Sequence, residues 1–189
     1  MTSPDNLYKK CMKVSTIFML VLIMALKTTA QAYQPVDDKS TVKFVIKNFR
    51  INTGGNFKGL QGAISWDAAA LEKSAFDISI DAASVNTDNE SRDHHLRQED
   101  YFNVQQYPKI TFKSDRITKS GKSFTAYGKL SIKGTTKDIS IPFTATDKDD
   151  GWLFDGSFRL NRRDYKVGGN SVVLSDEVII SLSVFAVRK

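Results

Sequence analysis

The chain has 189 residues, with 27 Lys and Arg against 21 Asp and Glu, a formal net charge of +6 and one cysteine. That length suits a single domain. Hydrophobic residues at 41% and charged residues at 25% exclude wholesale disorder, and one cysteine excludes a disulfide framework or a Cys-rich zinc module.

Residues 1–32 read as a secretory signal peptide. Lys9, Lys10 and Lys13 precede the apolar run Val14–Leu26, which falls short of the roughly 20 residues that span a bilayer as a helix. Ala30-Gln31-Ala32 then supplies a small-x-small cleavage pattern and sets the expected mature start at Tyr33; the competing reading is an uncleaved anchor. Cleavage removes Cys11, and a thiol-free product suits a periplasmic or secreted location. It also removes Lys9, Lys10, Lys13, Lys27 and Asp5, which leaves a net charge of +3 over residues 33–189.

From Tyr33 onward the main signal is alternation of period two, the pattern of half-buried strands. Val42, Phe44 and Ile46 form the first apolar row, and a less regular segment follows over Gly55–Trp66. Phe76, Ile78 and Ile80 form the next. Between Ala83 and Pro108 the alternation stops; Asp88 or Asn89 caps an expected short helix running through Arg97, a further turn is expected over Glu99–Val104, and Leu96, Tyr101 and Phe102 serve as apolar anchors. Alternation resumes at Ile110 and Phe112, then Phe124 to Ile132, Ile139 to Phe143, the less regular Trp152–Asn161, and Val178 to Ala186. Lys119–Lys122, Gly134–Lys137 and Asp147–Gly151 read as hairpin turns. Eight antiparallel strands must hide an apolar face and two edges, and a closed barrel does both.

Gly55, Gly59, Gly62, Gly128 and Gly156 fall inside strand-like segments, where they mark tight bends or leave room for a ligand. An eight-stranded barrel encloses either packed side chains or one small ligand, and alternation does not separate these outcomes. The insert crowds Asn89, Arg92, Asp93, His94, His95, Arg97, Glu99 and Asp100 together. A hydrolase or isomerase would pair His95 with Asp93 or Glu99, yet no nucleophile motif accompanies them. Adjacent His94 and His95 point apart on a helix and lack metal-ligand spacing. The remaining readings are a polar network pinning the crossover and a ligand-contacting mouth. Acids beside Arg92, Arg97 and Arg162-Arg163 weaken a nucleic-acid footprint and leave a phosphate-bearing head group as the better match for arginine.

The ordered blocks Phe57-Lys58-Gly59, Ile80–Thr87, Asn89–Arg97, Asp100-Tyr101-Phe102, Tyr107–Ser114, Gly128-Lys129-Leu130, Gly134–Lys137 and Asn161–Tyr165 resemble the YceI-like family of exported, polyisoprenoid-binding, lipocalin-like proteins. The resemblance covers residues 40–189. Its most specific block reads N-x-x-R-D-x-H-L-R, which places the family histidine on His95. Lys166 stands where the family often has glycine, so the turn there is expected to differ.

The resemblance implies an all-β, eight-stranded antiparallel lipocalin-like barrel, here with a short helical crossover insert, over residues 33–189. It also implies a non-catalytic role without cofactor or metal: holding a long-chain amphipathic lipid, such as a polyisoprenoid, quinone precursor or fatty amide, for transport, storage or sequestration. The candidate channel wall is Phe44, Ile46, Phe57, Ile64, Phe76, Ile78, Phe112, Leu130, Ile141, Phe158 and Leu182. The candidates for a head-group contact or a mouth network are Asn89, Arg92, Asp93, His95 and Arg162. Nucleic acid is not an expected partner; transient membrane contact and a homodimer are compatible with this reading. The alternatives are a lipid-modifying enzyme using His95 and Asp93, and an adhesion barrel with a packed interior.

Overall fold

A computed structural model describes residues 30–189; the expected leader lies outside the described residues apart from its last three positions. Strands β1 (Gln31–Pro35), β2 (Thr41–Asn48), β3 (Ile51–Trp66) and β4 (Ala75–Asn86) lead into helix α1 (Glu90–Leu96). Strands β5 (Lys109–Ser120), β6 (Ser123–Ile132), β7 (Thr135–Lys148), β8 (Gly151–Asn161) and β9 (Leu174–Arg188) follow. Every pairing is antiparallel; consecutive strands from β2 to β9 pair, β2 pairs with β9 to close the ring, and β1 pairs with β3 and β9.

The closed barrel therefore has the eight staves expected, although nine strands build it. Both β1 and β2 pair with β3 on one side and β9 on the other, at different heights. They are one stave broken by the 3-10 turn Asp37–Lys39, whose Asp37 carboxylate accepts the backbone N–H groups of Gly59 and Leu60 in β3. Strand β1 escapes the alternation signal because it is five residues long and ends in proline. The expected mature start, Tyr33, falls inside it.

Two hairpins turn through paired left-handed residues. Lys133 and Gly134 have φ of 48° and 69°, so the β6–β7 turn occupies these two residues and Thr135–Lys137 belong to β7, one correction to the expected Gly134–Lys137 turn. At the β2–β3 turn Phe49 and Arg50 have φ of 50° and 66°. Such two-residue turns usually carry Asn or Gly, so a Phe-Arg pair sends no sequence signal. Within β3, Gly62 has φ of 131° beside a register shift against β4, and a Cβ there would run into the Asp77 carbonyl oxygen. That position is a bend. Gly55 is different: the Phe44 ring lies where its Cβ would be.

The barrel has two unlike ends. One carries the β3–β4, β5–β6 and β7–β8 connections and is filled by aromatic rings. Trp66, 2% exposed, stands at its centre with Phe76, Phe124, Phe143, Trp152 and Phe154 at centroid distances of 6.2, 5.0, 5.8, 5.9 and 5.3 Å. Edge-to-face contacts dominate, the arrangement favoured by ring quadrupoles. The other end carries the β2–β3 turn, the α1 crossover, the β6–β7 turn and the β8–β9 connection.

Candidate functional site

The inward rows of the barrel do not fill its interior. A cavity of about 260 Å³ runs through it, with a wall of aliphatic and aromatic side chains. On β9 its lining extends from Leu174 to Val184, about 33 Å of strand at 3.3 Å per residue, shortened along the axis by the strand tilt. The space is long and narrow. Nine of the expected wall residues, Phe44, Ile46, Phe57, Ile78, Phe112, Leu130, Ile141, Phe158 and Leu182, face it.

Ile64 and Phe76 do not. They pair across β3 and β4 at the aromatic end, and Phe76 stacks on Trp66 with the rings 9° from parallel. These two are corrected from channel wall to plug. Period-two alternation separates inside from outside but carries no information about height along the barrel axis.

At the opposite end the cavity meets α1. The Asn89 side chain accepts the Arg92 N–H at 2.9 Å and starts the helix. Arg92, His95 and Leu96 line the cavity from one face of α1, as i, i+3 and i+4 spacing requires. Tyr101 and Phe102 complete this cover, Phe102 meeting Phe57 edge-to-face at 5.4 Å. These anchors, with Tyr165, extend the lining beyond the expected wall.

The polar residues divide by what they already hold. Asp93 is buried, and its Oδ1 accepts the N–H and hydroxyl of Thr87 at 2.9 and 2.5 Å. Arg92 donates from Nε to the Thr87 hydroxyl and from Nη2 to the Thr87 carbonyl, both at 2.7 Å. Asn89 and Asp93 thus serve the crossover and do not line the cavity, the network side of the two readings and not the head-group side. The His95 imidazole makes no hydrogen bond to Asp93 or to Glu99, the two acids that the alternative enzyme reading would pair with it. Arg97 donates to the carbonyls of Ala83 and Val85 and ties the helix end back to β4.

Arg162 lines the cavity yet has no donor to offer. Nε donates to Ser175 O, Nη1 to Val167 O and Gly169 O, and Nη2 to Leu174 O and Asp176 Oδ1. All five guanidinium N–H groups are occupied, and the residue is 3% exposed. Its role is to hold the β8–β9 connection, which corrects its assignment to the head group. Lys166 closes the adjoining turn with φ of 58°. That is the left-handed region, which glycine enters without strain.

The His95 ring contacts Tyr101 at 4.9 Å, and its imidazole nitrogens make no hydrogen bond among the described residues. Arg92 keeps its Nη1 donors. His95 and Tyr101 also line a neighbouring polar depression with Asp100, Lys133 and Lys166, so this pair forms the partition between apolar cavity and polar surface. Burial holds the Lys133 ammonium below its usual range, opposed by Asp100 and Glu99, and its Nζ donates to Lys166 O at 2.8 Å. Tyr165, 2% exposed, has its phenol pushed up to about 12, by burial first and Asp164 second. Among the described residues no three His, Cys, Asp or Glu side chains converge as a metal site.

Comparison with known proteins agrees with this architecture. The family model described as YceI-like domain matches residues 33–186. A UPF0312 protein of Azotobacter vinelandii is 33% identical over 71% of this chain and 74% of its own. Protein YceI of Escherichia coli O17:K52:H18 is 27% identical over 89% and 93%. Among solved structures, Burkholderia cenocepacia BcnA superposes with a TM-score of 0.75 at 27% identity, covering 78% of this chain and 96% of that one. A polyisoprenoid binding domain from Saccharophagus degradans, implicated in plant cell wall breakdown, superposes at 0.68 over 84% and 99% with 18% identity, a likeness of fold.

Proposed function

The chain belongs to the YceI-like domain family, and from that premise we propose that it is an exported, non-catalytic protein that holds one long-chain amphipathic lipid for transport, storage or sequestration. The observation that carries the reading is the cavity's shape and polarity together: narrow, about 260 Å³, apolar along its wall and closed by rings at one end. At about 0.8 kcal/mol per CH₂, an isoprenoid or acyl chain gains most from a dry slot. The polar end offers Arg92 Nη1 and the His95 imidazole to a head group, and arginine's donors match carboxylate or phosphate oxygens. The name of the Saccharophagus degradans domain makes a polyisoprenoid the first lipid to try.

The test is extraction of the purified protein into organic solvent, followed by mass spectrometry. A near-stoichiometric lipid with a long apolar chain is expected. Protein that carries none, and that also fails to take up a polyprenyl phosphate or a fluorescent fatty acid from detergent, would defeat the proposal. A catalytic role for His95 finds no support in the geometry, because Asp93 is engaged by Thr87 and neither Asp93 nor Glu99 bonds the imidazole.

A further inference from the structure

Four large hydrophobic residues are exposed among those described, and three stand together at one place. Phe49 and Ile51 flank Arg50 in the β2–β3 turn and are 69% and 70% exposed; Val172 is fully exposed. The two segments are joined, since the Phe49 N–H donates to Val173 O at 2.9 Å and Asn48 pairs with Leu174. Asn48 and Leu174 are cavity-lining residues. Stepping outward along both strands therefore leads from the cavity wall directly to the exposed apolar tip.

Two further features distinguish this tip from an incidental surface patch. Phe49 and Arg50 both sit in the left-handed region, so the turn presents its side chains in a fixed and conformationally disfavoured geometry. The hairpin behind it, residues 41–66, contains Lys43, Lys47, Arg50 and Lys58 and no acid. Of the acids at this end, Asp88, Glu90, Glu99 and Asp100 belong to the α1 crossover and Asp164 to the 3-10 turn, while Asp176 and Glu177, which follow Val172 on β9, are paired with Arg162, Arg163 and Arg159. An apolar tip with basic flanks is the pattern of interfacial binding to anionic lipid.

We propose that the Phe49–Ile51 turn and Val172 form a tip that docks on an anionic phospholipid bilayer, holding the α1 end of the barrel against the membrane surface. Three side chains cannot make a stable contact between two copies of the chain: a Phe contributes at most about 200 Å², against about 800 Å² per partner in a standard interface. They suffice for shallow insertion beneath head groups. The inference rests on the lipid-binding reading only for its purpose, since docking at this end would let a chain pass between bilayer and cavity without crossing water.

The experiment uses vesicles of phosphatidylcholine with and without phosphatidylglycerol. Phe49→Trp places a reporter at the tip, far from Trp66 and Trp152 at the other end of the barrel. Its emission shifts to the blue on anionic vesicles and is quenched by chain-brominated lipid; an unmoved emission overturns the proposal. Phe49→Asp with Ile51→Asp lowers vesicle binding at least about tenfold, with Tm unchanged, because Asp tolerates the left-handed turn. Equal binding by this variant overturns the proposal, as does sedimentation showing lipid-free dimers that the variant dissolves. Uptake of a polyprenyl phosphate from detergent is measured in parallel, so failure of docking and failure of the cargo reading are separable.

Discussion

The Asp93 carboxylate accepts both the backbone N–H and the hydroxyl of Thr87, at 2.9 and 2.5 Å, with all partners buried. This bond pair joins the end of β4 to α1 and sets where Arg92 and His95 stand. Asp93→Ala leaves the Thr87 N–H unpaired and is expected to lower stability by about 3 kcal/mol. Asp93→Asn keeps an acceptor and should lose about 1 kcal/mol. Urea denaturation of the two variants checks the ordering, and equal losses would show that the second bond contributes nothing.

Arg162 and Arg92 both line the cavity but should behave oppositely. Arg162→Met strands the carbonyls of Ser175, Val167, Gly169 and Leu174 and leaves Asp176 to Arg163 alone. A loss of about 3–5 kcal/mol is expected, with ligand uptake failing only as far as folding does. Arg92→Met gives up two bonds to Thr87, for about 1–2 kcal/mol, and should weaken binding of an anionic lipid far more than of a neutral one of equal chain length. Calorimetry paired with lipid titration separates the two patterns; identical profiles would remove Arg92 from the head-group role.

Cavity wall and plug are equally distinguishable. Leu182→Phe and Ile78→Phe extend side chains into open space, so Tm should hold or rise while chain uptake falls about tenfold or more, at roughly 1.4 kcal/mol per factor of ten. Trp66→Leu removes the ring that five others touch, and should cost about 3–5 kcal/mol. Uptake by the surviving folded fraction should be unchanged. Competition with a fluorescent fatty acid measures the first quantity and thermal denaturation the second.

Alkaline stability carries the signature of Tyr165. Its folded phenol keeps its proton up to about 12, while the unfolded phenol loses it near the ordinary tyrosine value of 10.0. Between those values the unfolded state binds fewer protons, so stability is fully present below pH 10 and falls as pH rises toward 12. The loss amounts to about 2–3 kcal/mol at 1.36 kcal/mol per pH unit. Tyr165→Phe should flatten this part of the stability curve relative to the parent protein. Parallel curves for the two would place the phenol in water.

Much of the molecule was legible in the residues alone, and the reasons are local. The rows Val42-Phe44-Ile46, Phe124 to Ile132 and Val178 to Ala186 register as strands because a strand's side-chain period is two. Asn89 is readable as a helix cap because a short acceptor side chain reaches the N–H three residues on. Closure into a barrel follows from counting strands that need their edges covered.

What alternation could not supply is position along the axis and the partner of each polar group. Phe44 and Phe76 look alike in sequence, yet Phe44 borders an open channel and Phe76 is stacked in a plug, because the difference lies in which rings arrive from distant strands at the same height. Asn89, Asp93 and Arg162 share the polarity of His95, yet their side-chain hydrogen bonds go to backbone, to Thr87 and to Asp176, whereas the His95 imidazole makes none among the described residues. The amino-acid sequence by itself determined the eight staves (though not β1 as a separate strand), the closed antiparallel barrel and the family. Only the tertiary structure decided which residues face empty space and which donors remain free, since both depend on contacts between segments that the chain separates widely.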